Sequence, residues 1–160
     1  MDETIDPNLN KKARFTHLDD FKWQEVRRQQ HGDRTASVRE KWMEFSDKYL
    51  SLYAEWDAGM VVRPHGHNSN HVVFVLDGDM MCGDIHCPAG THIALDKGDT
   101  FGPFIAGPNG VKLFEVMMGD PRSFPANREE YEKLLADKGI VPLPNPPIDM
   151  PSWLKDTRNN

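Results

Sequence analysis

The chain has 160 residues, of which 38% are hydrophobic and 28% charged, with a formal net charge of −6 at pH 7. That length supports one domain with its own core. The acidic balance argues against a general binder of nucleic acid or of anionic membranes, since both require a basic footprint. No apolar run reaches the length of a membrane span, and the polar start MDETIDPNLNKK does not read as a signal peptide, so the cytoplasm is the expected compartment. Cys82 and Cys87 lack zinc-ribbon or thioredoxin spacing and read as free thiols.

In chain order, residues 1–14 are polar, lack any apolar period and read as a disordered arm. Residues 15–23 read as an arm or a short strand. Arg34 to Asp47 suits either element through Val38, Trp42 and Phe45, and the extended character of the neighbouring stretch favours strands. Tyr49 to Trp56 alternates, with Leu50, Leu52, Ala54 and Trp56 on one face and Tyr49, Ser51, Tyr53 and Glu55 on the other. Met60 to Arg63 reads as a strand running into Pro64. Asn68-Ser-Asn70 has turn composition. Val72 to Leu76 is a β-branched strand that the pattern ends at a hairpin turn, Asp77-Gly78. Turns come next at Pro88-Ala-Gly90 and Pro108-Asn-Gly110, with strands at Thr91 to Leu95 and Val111 to Met118. Many short strands with almost no helix indicate an all-β sandwich or barrel over residues 15–120. Residues 121–160 then carry one helix, Asn127 to Lys138, with Asn127 as its cap and Gly139 at its end. A proline-rich tail, VPLPNPPIDMPSWL, is expected to lie extended over a surface, anchored by Trp153 and Leu154.

Five of the seven histidines fall between residues 65 and 92. On a strand, His65 and His67 project to one face. A turn at residues 68–70 would return His71 on a neighbouring strand to face them. Three neutral imidazoles converging in a barrel mouth suit one divalent transition metal: iron(II), zinc, nickel, copper or manganese. Imidazole must be neutral to bind, so affinity should fall as pH drops through ~6.5.

The same residues resemble the first motif of the cupin superfamily, G-x5-H-x-H-x3–4-E-x6-G. Here Gly59, His65, His67 and Gly78 fit the spacing, and His71 occupies the glutamate position. The second motif, G-x5-P-x-G-x2-H-x3-N, keeps the spacing of Gly90 and Gly98 but places Asp96 at the proline, Phe101 at the histidine and Ile105 at the asparagine. The resemblance covers roughly residues 36–118. It implies a single cupin barrel (a double-stranded β-helix or jelly roll) with a short C-terminal helix and the proline-rich tail. It also implies a small single-domain metalloprotein of the dioxygenase-like group, with iron(II) the favoured ion, and a homodimer. Its substrate would be a small oxygen-rich molecule, and its reaction that of a non-haem dioxygenase. A redox-neutral lyase, isomerase or dehydratase and a non-catalytic binding module are the alternatives. Phe101 would then be an apolar wall beside the metal. His92 and Glu115 are the candidates for acid–base work or for completing the site, each with a bland reading as an ordinary strand residue. Arg63 and Tyr53 are candidates for the substrate pocket.

Overall fold

The computed structural model describes residues 6–158, and all statements below refer to these. Residues 1–5 of the expected N-terminal arm lie outside them. The chain forms one ten-stranded antiparallel sheet that carries a single α-helix. The strands are β1 (Gln24–His31), β2 (Arg34–Phe45), β3 (Leu50–Trp56), β4 (Val61–Val62), β5 (His65–Cys82), β6 (Ile85–Pro88), β7 (His92–Leu95), β8 (Thr100–Phe101), β9 (Phe104–Pro125) and β10 (Ile140–Pro142). The order runs β10-β1-β2-β3-β9-β5-β6, with β4 paired to β9 and with β7 and β8 paired to β5. The all-β jelly-roll expectation holds. No helix is long and apolar enough to cross a membrane.

The alternation read in the third strand is the one observed. Leu50, Leu52, Ala54 and Trp56 are buried, while Tyr53 faces outward and packs its ring against Trp23, 5.7 Å between centroids. Residues of the same parity on β2 and β9 complete the core, among them Ala36, Val38, Val111, Leu113 and Met117.

Three expected turns are absent. Residues 68–70 and 77–78 are internal to β5, which pairs with β9 from His65 opposite Pro125 to Cys82 opposite Phe104. The strand runs through these residues, and the ladder takes up the irregularity as register shifts. Register shifts fall at His67/Ser69, Val75/Asp77 and Gly78/Met80. A bulge adds twist without ending the ladder, so turn chemistry is used here to coil a long ribbon. Residues 108–110 behave likewise inside β9. The tightest approach to backbone is at Gly78, at φ +70°, where an added Cβ would sit 2.2 Å from the Gly110 carbonyl oxygen. Gly78→Ala therefore combines left-handed strain with a backbone clash. It is expected to lower stability by about 2–4 kcal/mol, measured by urea unfolding. A loss below half a kcal/mol would contradict this account of the ribbon.

The helix, α1 (Arg128–Lys138), ends at Gly139 as expected. Asn127 does not cap it: its backbone is left-handed at φ +46°, and its side chain donates to Glu130 instead. Leu135 packs with Val61 and Ile140 in a small second cluster. The segment beyond β10 lies along β1. The Leu143 amide donates to the Arg28 carbonyl, the Asp149 amide to Gln24 Oε1, and Arg158 to the Val26 carbonyl. Its core contact is Ile148, whereas the expected anchor Trp153 touches Phe45 but stays 59% exposed.

Candidate metal centre and cavity

Strand parity, unbroken from residue 65 to 75, builds the site. His65, His67, Ser69, His71, Val73 and Val75 all lie on the inward side of β5, so the three histidines need no turn to meet. Their rings stack edge to face, 5.1 Å between the centroids of His65 and His67 and 4.7 Å between those of His67 and His71. Glu115, on β9 between inward Leu113 and Met117, places Oε1 2.9 Å from Nε2 of His71.

The hydrogen bonds determine which ring nitrogen of each histidine stays free. Nδ1 of His65 lies 2.7 Å from the Arg63 carbonyl, and Nδ1 of His67 lies 2.7 Å from the Pro121 carbonyl. A carbonyl only accepts, so both nitrogens carry hydrogen and both Nε2 atoms keep their lone pairs. His71 donates from Nε2 to the Glu115 carboxylate, and its Nδ1 is buried and without a partner. Each imidazole thus has one donor anchored and one nitrogen open. Carboxylate and carbonyl anchors of this kind accompany histidines that ligate metals. Burial also keeps two of the rings neutral. Desolvation, reinforced by neighbouring His67, pushes the pKa of His65 down to about 3; desolvation and His71 push that of His67 down to about 4. The donor types and tautomers therefore fit a divalent transition metal. As the rings stand, no three His, Cys, Asp or Glu side chains among the described residues are arranged around one point to hold an ion.

The Phe101 ring packs against the histidines, 5.2 Å from His65 and 5.7 Å from His71, and lies 4.5 Å from Phe104. A cavity of about 240 Å³ is lined by His65, His67, Phe101 and Phe104, with His71 behind them. Glu115 and Arg63 line it. The other two expected site residues do not. His92 lies exposed on the outer face of β7, opposite Phe74, because the pairing of β7 with β5 puts its parity outward. Tyr53 is on the outer face of β3 and donates to Glu55. Both expectations fail for the same reason: alternate strand residues face opposite sides of the sheet.

Of the lining residues that escaped the sequence reading, two matter here. Glu40 continues the inward parity of Ala36 and Val38 on β2, and its Oε1 accepts from the Trp42 indole at 2.9 Å. Burial first, and then the charge of Glu115, raise its pKa to about 7. Extending the Val38–Trp42 periodicity by its middle member would have found it. Arg27 of β1 is the other.

Comparison with solved structures bears on the fold. A candidate acetylacetone dioxygenase from Methylibium petroleiphilum PM1 superposes with a TM-score of 0.58 at 14% identity, covering 81% of this chain and 87% of that one. An RmlC-like cupin from Shewanella frigidimarina gives 0.52 at 15% identity, covering 74% and 96%. This chain has the cupin fold. The polyketide cyclase RemF from Streptomyces resistomycificus shares it, with a TM-score of 0.56 at 18% identity over 79% and 95% of the two chains. No family model matches the sequence, and no curated protein matches it. Identities this low carry the cupin architecture and leave the chemistry to the site itself.

Proposed function

We propose that this cupin is a metal-dependent enzyme acting on a small oxygen-rich organic molecule, as a non-haem iron dioxygenase with His65, His67 and His71 as the metal ligands. The observation that carries the reading is the anchoring pattern: three adjacent imidazoles, each with one ring nitrogen anchored by a hydrogen bond and the other left open. Iron(II) at this position would supply the one-electron chemistry that dioxygen requires. The protein's own residues do the rest. Glu115 orients His71. Phe101 and Phe104 exclude water from one side of the site, and the cavity of about 240 Å³ limits the substrate to a small molecule. Similarity to a candidate acetylacetone dioxygenase supports the reading.

A second reading is redox-neutral: a cyclase, lyase or isomerase in which the metal acts as a Lewis acid and a cavity carboxylate moves a proton. The presence of both Glu40 and Glu115 in the cavity favours it, as does the likeness to a polyketide cyclase. One experiment separates the two. Protein reconstituted anaerobically with iron(II) is mixed with oxygenated β-dicarbonyls and hydroxyketones in an oxygen electrode. The expected result is oxygen uptake in step with substrate loss. Substrate conversion by the zinc-loaded protein, with no oxygen consumed by the iron form, would replace the dioxygenase reading with the redox-neutral one.

A further inference from the structure

The protein is acidic overall, yet its cavity is lined by five arginines and three carboxylates. Arg122 pairs with Asp120 and Arg158 with Asp156. Arg128 is exposed at the start of α1. Arg27 and Arg63 remain, and neither has a carboxylate partner among the described residues.

Local backbone geometry puts both at the cavity. A β-bulge between Glu25 and Arg27 shifts the register of β1 on β2. Without it, alternation from Val26 would turn Arg28 inward. With it, Arg27 sits opposite inward Val38 and lines the cavity, while Arg28 is exposed beside Glu25. Arg63 is fixed from two sides. Its carbonyl accepts from His65, and its Nη2 donates to Ser123 Oγ at 2.8 Å. Its Nε is buried and has no partner. Glu40, a carboxylate of the same cavity, accepts from the Trp42 indole. The two guanidiniums also feel each other: burial and then the charge of Arg63 lower the pKa of Arg27 to about 10. Two like charges facing a shared cavity, neither of them paired with a carboxylate, are costly to bury, and an anionic ligand between them offsets that cost.

We propose that Arg27 and Arg63 form a carboxylate-binding subsite in this cavity, so that the substrate is a small organic acid whose carboxylate is held beside His65. Guanidinium is planar and matches a carboxylate with paired donors, and the unpartnered Nε of Arg63 is one such donor. The inference rests on the cavity being the substrate site, as in the function proposed above, and it names the substrate class.

Acetoacetate, malonate and inorganic phosphate, with acetylacetone as the uncharged counterpart of acetoacetate, are titrated calorimetrically into the full-length protein, both chelator-treated and zinc-loaded. Acetoacetate is expected to bind about tenfold or more tightly than acetylacetone and to raise the melting temperature where acetylacetone does not. Arg27→Gln and Arg63→Gln should each weaken acetoacetate binding about tenfold or more, with Arg28→Gln unchanged. Equal binding of acetoacetate and acetylacetone by the wild type would overturn the inference. So would binding of phosphate alone, or wild-type affinity in either glutamine variant. The wild-type comparison decides the matter even where a variant fails to fold. Carboxylate binding is scored without metal. Its absence with zinc binding intact sinks this inference alone, and its presence with zinc binding lost sinks the metal reading alone.

Discussion

Replacing His65 and His67 together by alanine is expected to reduce bound metal from about one ion per chain to none detectable, and to abolish metal-dependent turnover with it. The expectation follows from the donor count. The pair removes two of three open imidazole nitrogens and leaves His71, whose Nε2 is held by Glu115. One neutral imidazole does not retain a divalent ion against a chelator. The rings border an existing cavity, so truncation widens it without emptying the core around Val75, Leu52 and Leu113. A retained fold by circular dichroism with metal lost, measured by inductively coupled plasma mass spectrometry, is therefore the expected outcome. Full metal content in the double variant would show that the ion sits elsewhere. The pH dependence also departs from the sequence expectation. With His65 and His67 held neutral down to about pH 3 and 4, protons compete at these two ligands well below ~6.5. Zinc affinity is thus expected to persist further into acid than a site of exposed histidines would allow.

Much of the site was legible because it depends on parity alone. His65, His67 and His71 share a face at even spacing, and Glu115 follows from the faces of Leu113 and Met117. Phe101 came from glycine spacing. What was not legible depends on bulges and pairing. Asn68-Ser-Asn70 and Asp77-Gly78 have turn composition, and only pairing with the long partner β9 keeps them inside a continuous ribbon. The strand QEVRRQQH hides its period because its inward members other than Val26 are polar. Gln29 is buried with both ends of its amide on the Val61 backbone, and Arg27 faces the cavity only because of the bulge beside it. The outward direction of His92 likewise follows from its pairing with Phe74, which no local pattern reveals. Polar residues on an inward face look like surface in a sequence, and here they are the cavity.

Glu40 is the residue for which that disguise has a measurable consequence. Its carboxyl sits at about pH 7 in the fold, against an ordinary 4.5, because burial and then the charge of Glu115 disfavour ionisation, partly offset by the Trp42 hydrogen bond. A raised carboxyl pKa means the native state binds more protons than the unfolded chain between pH 4.5 and 7. The stability this contributes is fully present below 4.5 and is lost as pH rises through about 7. Glu40→Gln preserves the acceptor for the Trp42 indole and removes the charge. It is expected to leave stability nearly unchanged at about pH 5 and to raise it by about 2–3 kcal/mol at about pH 8.5, measured by urea unfolding of the chelator-treated protein at both pH values. The same increment at both pH values would mean that Glu40 is not ionising against burial. If Glu40 instead serves as the proton carrier of a redox-neutral reaction, the variant gains this stability and loses turnover together, the exchange expected where a strained charged group is kept for chemistry.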